Sequence, residues 1–211
     1  MTNPKYIPAL NFRWLTPLYD AIIEGPMLIA RMRRGLLAQM GDLSNKKVLD
    51  VGSGTGTMSI LIKKAFPTGE VTGLDGDPQI LEMARSKARS LGLEIQFDQG
   101  MSFELPYPNE SFDVVLTSMM LHHLTRDDKQ KTALEMYRVL RPGGQLCGAD
   151  FGEPRSSFGK AIRPITRRFE RVAENVDGFL PVMFRTAGFK NYRETNRYLL
   201  GSIALFQGSK S

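Results

Sequence analysis

Short runs of apolar and β-branched residues alternate along the chain with longer segments in which apolar residues recur at helical spacing. The short runs predict five strands, which are Lys47–Val51, Glu70–Asp75, Glu94–Asp98, Phe112–Ser118 and Gln145–Ala149. The longer segments between them predict helices at Met58–Ala65, Gln79–Leu91 and Lys129–Leu140. This alternation indicates an α/β fold with a parallel sheet and crossover helices.

The segments that flank this core add helices before it and strands after it. Residues 1–45 hold two predicted helices, the second beginning near Pro26 and ending near Gly41. Two late runs predict antiparallel strands that close the sheet edge, at Tyr192–Arg197 and Leu199–Gln207. Because open α/β sheets bind ligands outside the carboxyl ends of their strands, the loops after the strands are where a site is expected.

Composition and charge place the chain among ordinary globular domains. Its 211 residues are 42% hydrophobic and 24% charged, which favours a single folded domain and excludes wholesale disorder. The net charge of +6 is far below the charge density of a dedicated nucleic-acid-binding protein, so no nucleic-acid partner is predicted. No uncharged apolar run approaches ~18 residues and the start has no signal-peptide core, so a cytoplasmic protein is expected.

A glycine-rich turn after the first predicted strand is the strongest candidate binding feature. In Gly52-Ser-Gly54-Thr-Gly56 the missing side chains let the backbone turn tightly and approach a ligand. Asp75 ends the second strand, where a carboxylate can accept hydrogen bonds from both ribose hydroxyls of a nucleoside. Alone, the glycines could form only a turn and Asp75 only a surface cap, but together they indicate a nucleoside cofactor. A dinucleotide fingerprint would place its third glycine at position 57, which is threonine.

Five motifs follow one another along the chain, namely Val48–Gly56, Gly73-Leu-Asp75-Gly-Asp77-Pro, Leu105-Pro-Tyr-Pro, Ser111-Phe-Asp113-Val-Val and Arg138-Val-Leu-Arg-Pro-Gly-Gly144. In this order and spacing they resemble the motifs of class I S-adenosylmethionine-dependent methyltransferases. The subgroup that they resemble most is the small-molecule type of ubiquinone and menaquinone biosynthesis. The resemblance implies a Rossmann-like, seven-stranded, mostly parallel sheet with helices on both faces and an antiparallel C-terminal strand. It also implies in-line methyl transfer from S-adenosylmethionine to a small-molecule acceptor.

This resemblance divides the single methyltransferase domain into four parts with different roles. A cofactor-binding core at residues 46–150 follows an N-terminal helical cap at residues 1–45. A substrate-side insertion at residues 151–185 and closing strands at residues 186–211 complete the chain.

The resemblance further implies which residues bind S-adenosylmethionine. Gly52 and Gly54 approach its methionine part, Asp50 binds the amino group and Asp75 holds the ribose. The family usually has an acidic residue against the adenine amino group where this chain has Met101, and Asp98 is the candidate replacement. The full predicted set is Tyr19, Asp50, Gly52, Ser53, Gly54, Gly56, Asp75, Gly76, Met101, Ser102, Thr117 and Ser118.

Three residues are candidates for a catalytic role beside the acceptor, namely His122, His123 and Tyr19. A histidine can remove a proton from an acceptor. Alternatively, one histidine caps the following helix and the other lines the pocket. We expect the second interpretation, because the sulfonium donor is already activated and in-line positioning supplies much of the acceleration. Tyr19 either closes over the cofactor or packs in the core. The two histidines and Cys147 do not form a metal-ligand set, so no metal is predicted.

The insertion after the fifth strand combines an apolar set with a separate row of basic residues. The apolar residues are Phe158, Ile162, Ile165, Phe169 and Val172, and the basic ones are Lys160, Arg163, Arg167 and Arg171. We predict a lid lined by the apolar residues over the acceptor pocket. Peripheral contact with an anionic membrane is the alternative, and it would favour a phospholipid head-group N-methyltransferase.

Three other classes of function compete with a small-molecule methyltransferase. A nicotinamide-dependent oxidoreductase shares the strand, turn and ribose-binding acid, but Thr57 and the Arg-Pro-Gly-Gly turn count against it. A non-catalytic nucleoside-binding module stays open from sequence. A nucleic-acid methyltransferase is disfavoured, because Thr117-Ser-Met-Met120 stands where an Asn-Pro-Pro-Tyr-like tetrad is expected. The acceptor, the methylated atom and the oligomeric state are left open.

Overall fold

The computed structural model describes residues 26–155, 157, 160 and 172–211. Its helices are α1 (Pro26–Gln39), α2 (Thr57–Ala65), α3 (Pro78–Ser90), α4 (Arg126–Val139), α5 (Val172–Val176) and α6 (Phe179–Thr186). Its strands are β1 (Lys47–Val51), β2 (Glu70–Asp75), β3 (Gln96–Gln99), β4 (Phe112–Ser118), β5 (Leu140–Phe151), β6 (Lys190–Tyr198) and β7 (Ile203–Ser209). Predictions for Tyr19 and for most of the lid lie outside the described residues, including those for Phe158, Ile162, Ile165, Phe169, Arg163, Arg167 and Arg171.

The strands form one seven-stranded sheet in the order β3-β2-β1-β4-β5-β7-β6. The pairs β1–β2, β1–β4, β2–β3 and β4–β5 are parallel, whereas β7 is antiparallel to both β5 and β6. The predicted fold class is therefore confirmed. Since β7 inserts between β5 and β6, the edge strand is β6, and β6 runs in the same direction as β1 to β5.

Four strands differ in their bounds from the sequence prediction, and one of them is β6, which extends over Lys190–Tyr198. β5 begins at Leu140, so the Arg-Pro-Gly-Gly segment lies inside a twelve-residue strand whose register with β4 shifts between Phe112 and Val114. β3 is four residues long and begins at Gln96. β7 begins at Ile203 because a 3-10 turn occupies Leu199–Gly201, where Leu199 and Gly201 have φ angles of 49° and 91°. Such positive φ angles end an extended run of backbone.

Helices cover both faces of the sheet, as predicted. On one face Leu49 and Val51 pack with residues of α4 and α6, including Met136 and Phe184. On the other face Val48 packs with residues of α1, α2 and α5, including Met32, Leu36, Ile62 and Val176. Alternate residues of a strand point to opposite faces, so a central parallel strand such as β1 is buried on both sides.

This topology gathers the candidate residues at one edge of the sheet. The strands β1, β2, β4 and β5 are parallel, so their carboxyl ends share an edge. The glycine-rich turn follows β1, Asp75 ends β2, and a 3-10 turn at Leu121–His123 follows β4. Within residues 26–155 and 172–211, no helix has both the length and the apolar character needed to cross a membrane.

Candidate active site

A cavity of about 370 Å³ opens at the carboxyl edge of the sheet. Ten of the residues predicted from sequence line it. Those of the first two strand ends are Asp50, Gly52, Ser53, Gly54, Asp75 and Gly76. Those that follow β3 and β4 are Met101, Ser102, Ser118 and His123. The volume lies within the range of small-molecule sites, roughly 300–1,000 Å³.

The glycine-rich turn needs its glycines for two different reasons. Gly52, Gly54 and Gly56 have φ angles of 73°, 52° and 70°, a region that side-chain-bearing residues rarely adopt. A Cβ atom on Gly52 would lie 2.3 Å from Cγ of Met120, whereas one on Gly54 would meet nothing within 4 Å. The backbone at Gly54 is thus open to the cavity, and it can come close to a ligand.

Gly56 has a packing role, and its contact with the cofactor stays a prediction. It does not line the cavity, and a Cβ atom there would lie 2.7 Å from Cζ of Phe97 and 3.0 Å from Cβ of Ala84. The residue lets the start of α2 pack closely against the side chains of α3 and β3.

Two backbone amides hold the carboxylate of Asp75 in the cavity wall. Gly54 N donates to Asp75 Oδ2 at 2.9 Å, and Asp77 N donates to Asp75 Oδ1 at 3.1 Å. The helix cap is instead Asp77, whose Oδ1 accepts from the amides of Gln79 and Ile80 at 2.8 and 3.3 Å. Asp75 is thus not a surface cap, and it ties the glycine-rich turn to the end of β2.

Asp50 is a buried carboxylate at the base of the cavity, with 1% of its surface exposed. Its Oδ2 accepts a hydrogen bond from Ser59 Oγ at 2.6 Å. Burial raises the pKa of Asp50 to about 6, although the Ser59 hydroxyl and the charge of Arg33 act in the opposite direction. The carboxylate therefore gains from any cation that enters the cavity.

Arg33 of α1 lines the same cavity, and sequence reasoning missed it. It lies in the short basic stretch Arg31-Met-Arg-Arg34, which carries no motif that sets one arginine apart. Its role depends on how α1 packs against the sheet. The cavity wall thus carries a carboxyl group and a guanidinium group from elements that are separate in sequence.

Asp98 is the predicted replacement for the acid at position 101. Asp98 does not line the cavity, and its Oδ2 accepts from Tyr107 Oη at 3.0 Å and from Gln96 Nε2 at 2.9 Å. Met101 itself is in the wall. Asp128, in the first turn of α4, is a third carboxylate in the wall that sequence reasoning missed.

The end of β4 places one of its two predicted residues in the cavity. Ser118 lines it, but Thr117 is fully buried and is not part of the wall. Consecutive strand residues face opposite sides of the sheet, which accounts for the difference. The contact of Thr117 with the cofactor stays a prediction. Met119 and Met120, which follow, contribute apolar surface.

The two histidines after β4 have different surroundings. His122 is buried, and its Nδ1 lies 2.9 Å from Asp150 Oδ1. Asp150 also accepts from the amides of Leu121 and Phe151, both at 2.8 Å, and from Asn175 Nδ2 at 3.2 Å. Burial alone would raise the pKa of Asp150, but His122 and the amide of Phe151 hold it below its ordinary value. His122 thus belongs to a buried polar network behind the cavity.

His123 lines the cavity, and its ring centroid lies 4.0 Å from that of His122. Neither histidine caps α4, because Thr125 does: its Oγ1 accepts from Asp128 N at 3.2 Å. The interpretation in which one histidine caps α4 and the other lines the pocket is therefore wrong about the cap, whereas His123 does line the wall. Within the described part of the chain, no group of three or more His, Cys, Asp or Glu side chains could hold a metal ion.

Comparison with known sequences finds close relatives over most of the chain. A family model described as "Methyltransferase domain" matches residues 48–144. The chain is 33% identical over 198 residues to a demethylmenaquinone methyltransferase of Thermus thermophilus, an alignment that covers 92% of this chain and 84% of the relative. It is 32% identical over 173 residues to the ubiquinone/menaquinone biosynthesis C-methyltransferase UbiE of Psychromonas ingrahamii, with 81% and 64% covered.

Solved structures at lower identity share the fold. A SAM-dependent methyltransferase from Aquifex aeolicus aligns with a TM-score of 0.65 at 19% identity, covering 92% of this chain and 94% of its own. The YcgJ protein of Bacillus subtilis aligns with a TM-score of 0.69 at 18% identity, covering 86% and 98%.

The sheet order and the motifs at the strand ends define the fold of a class I S-adenosylmethionine-dependent methyltransferase. Sequence similarity over most of the chain narrows this class further. The chain belongs to the ubiquinone/menaquinone biosynthesis methyltransferase family. The prediction of a small-molecule methyltransferase is confirmed over an oxidoreductase and over a non-catalytic nucleoside-binding module.

Proposed function

We propose that the chain binds S-adenosylmethionine in the cavity at the carboxyl edge and transfers its methyl group to a ring carbon of a demethylated quinol. The observation that carries this proposal is the placement of Asp50, Arg33 and Asp75 around one cavity beside the open backbone of Gly54. When bound, S-adenosylmethionine supplies a methyl group on a positively charged sulfur, which is activated toward nucleophiles.

The charges of the wall match those of the methionine part of the cofactor. An amino acid group presents an ammonium and a carboxylate, for which Asp50 and Arg33 are the complementary partners. Charge-assisted hydrogen bonds of this kind are among the stronger ones in proteins. The buried hydroxyl of Ser53 has no hydrogen-bond partner among the described residues, and it lies in the same wall.

The ribose assignment rests on the lone pairs that Asp75 keeps. A carboxylate has about four acceptor sites, and two are used by Gly54 N and Asp77 N. The remaining two can accept from ribose hydroxyls. Because both amides fix the orientation of the side chain, it reaches the ligand without losing much rotamer entropy.

The acceptor is assigned by chemical class. The relatives are named for demethylmenaquinone and for ubiquinone and menaquinone biosynthesis. The wall beside His123 carries the side chains of Phe103, Met119, Met120 and Leu124, which present apolar and polarisable surface to a flat ring. These residues would hold the ring in line with the methyl group. The new carbon–carbon bond would replace the sulfur–methyl bond, and water would take the proton that the ring carbon loses, so we propose that no general base from the protein is needed. No described residue of the cavity wall favours a head-group amine over a flat ring as the acceptor, so a phospholipid N-methyltransferase is not proposed.

Calorimetry with S-adenosylmethionine, S-adenosylhomocysteine and NAD tests the cofactor assignment. We expect binding of the first two ligands and no comparable affinity for NAD. Preferential binding of NAD would overturn the assignment. Arg33→Gln is the informative variant. It should weaken the binding of S-adenosylmethionine more than the binding of adenosine, because adenosine lacks the carboxylate. An equal loss for both ligands would show that Arg33 does not bind the carboxylate.

A further inference from the structure

A second cavity of about 550 Å³ lies outside the active site, between α1 and the end of β6. Its polar side chains include Arg31 and Arg34 of α1 and Arg197 of β6, and its apolar ones include Leu28 and Leu199. None of these residues belongs to the wall of the active-site cavity. We refer to these five residues as the arginine surface.

The charge of the arginine surface is only partly neutralised. Arg31 and Arg34 are exposed, and neither forms an ion pair or a hydrogen bond with another described residue. Arg197 is held in place by an ion pair with Glu194 and by the carbonyl oxygen of Gly201, which lies 2.7 Å from its Nη1. Two cations without a partner among the described residues, beside a fixed third one, favour an anionic group with several oxygen atoms, such as a phosphate.

The arginine surface lies on the same edge of the sheet as the active site. β6 is antiparallel to β7, and β7 is antiparallel to β5, so β6 ends at the carboxyl edge. Helix α1 borders both cavities, because Arg33 lines the first while Arg31 and Arg34 line the second. A partner that binds to the arginine surface therefore lies next to the site of methyl transfer.

Apolar side chains accompany the arginines on the exposed face of α1. Met27 is 76% exposed, and it shares a helix face with Arg31 and Arg34 at spacings of four and three residues. Leu28 and Leu199 line the cavity itself. Cations beside exposed apolar side chains are the composition that inserts at the boundary between lipid head groups and acyl chains.

We propose that the arginine surface binds the phosphate groups of anionic phospholipids and so holds the carboxyl edge of the sheet against a membrane. The inference rests on the proposed function, because a lipid-soluble quinol would then reach the neighbouring cavity from the bilayer. Each cation near an anionic surface contributes to the free energy of binding. Removing both Arg31 and Arg34 should therefore weaken vesicle binding roughly thirtyfold.

Sedimentation of the full chain with vesicles tests this proposal. The vesicles contain phosphatidylcholine alone or phosphatidylcholine mixed with phosphatidylglycerol, each at low and high salt. We expect capture by the anionic vesicles only, weakened by salt, and lost in the double variant Arg31→Gln/Arg34→Gln. The matched control is Lys46→Gln/Lys190→Gln, which removes the same charge from exposed residues at the starts of β1 and β6, the opposite edge. This control should still be captured.

Each other outcome overturns the proposal. Equal loss in the two double variants would indicate attraction by net charge alone. Equal capture by neutral vesicles would indicate an apolar contact, and absence of wild-type capture would exclude membrane binding. Binding of inorganic phosphate by the free chain, without capture by anionic vesicles, would assign the cavity to a soluble phosphate ligand. Methylation of a detergent-dispersed quinol should be the same in wild type and Arg31→Gln/Arg34→Gln. Absence of methylation in both proteins would show that the proposed function fails, independently of membrane binding.

Discussion

Protonation of Asp50 should control the affinity for S-adenosylmethionine near pH 6. Burial raises the pKa of this carboxyl group to about 6, and its partner in the proposed complex is the ammonium group of the cofactor. Only the ionised carboxylate stabilises that cation. Affinity should therefore rise as the pH rises through 6 and should fall as the pH is lowered through the same range.

The size of this effect follows from the pKa of the free protein. With a pKa of about 6, roughly nine tenths of the carboxyl groups are ionised at pH 7 and roughly one tenth at pH 5. The dissociation constant should thus increase about tenfold between these pH values, which corresponds to about 1.4 kcal/mol. The free energy of unfolding has the opposite pH dependence. A raised pKa means that the folded chain binds this proton more tightly than the unfolded chain does, so ionisation of Asp50 lowers the stability of the fold between about pH 4 and 6.

Calorimetric titration of S-adenosylmethionine at pH 5, 6 and 7 measures this dependence. Asp50→Asn should bind weakly with no step near pH 6. Ser59→Ala removes the hydrogen bond that lowers the pKa of Asp50, so its step should move to higher pH. An unchanged tenfold step in Asp50→Asn, or a wild-type affinity that is flat from pH 5 to 7, would refute the role of Asp50.

Three further predictions follow from the same geometry. Asp75→Ala should weaken the binding of S-adenosylhomocysteine by about 1.5–3 kcal/mol in calorimetry. Asp75→Asn keeps one acceptor oxygen and should lose less affinity. Unchanged affinity in a folded Asp75→Ala variant would place the ribose elsewhere. His122→Gln and His123→Gln should each keep turnover within about tenfold, and a loss of ~10²–10⁴-fold with intact cofactor affinity would identify a general base. Asp150→Ala should lower the free energy of unfolding in urea by about 3 kcal/mol, because it strands buried donors; a loss below about 1 kcal/mol would contradict this network.

Features that the backbone itself determines could be predicted from the sequence. The glycines of Gly52-Ser-Gly54 occupy positive φ angles, and Asp75 ends a strand whose neighbours are fixed by the parallel order. Each of these requirements restricts residue type at one position. The fold class and most of the cavity wall therefore follow from local patterns in the chain.

Contacts between distant elements could not be predicted in the same way. Arg33 reaches the cavity only because of how α1 packs, and Asp98 misses it because Tyr107 and Gln96 bind its carboxylate. His122 likewise has a partner, Asp150, that lies 28 residues away in sequence. No spacing rule connects such pairs, so their positions depend on tertiary packing.

The measurement that tests the account most directly is transfer of a deuterium-labelled methyl group from S-adenosylmethionine to a reduced demethylnaphthoquinone, followed by mass spectrometry. The account predicts one labelled methyl group on a ring carbon and one S-adenosylhomocysteine per product, with the reaction lost in Asp50→Asn and retained in Lys46→Gln/Lys190→Gln. Binding of the cofactor without any methylated quinol, or a label found on oxygen or nitrogen, would contradict it.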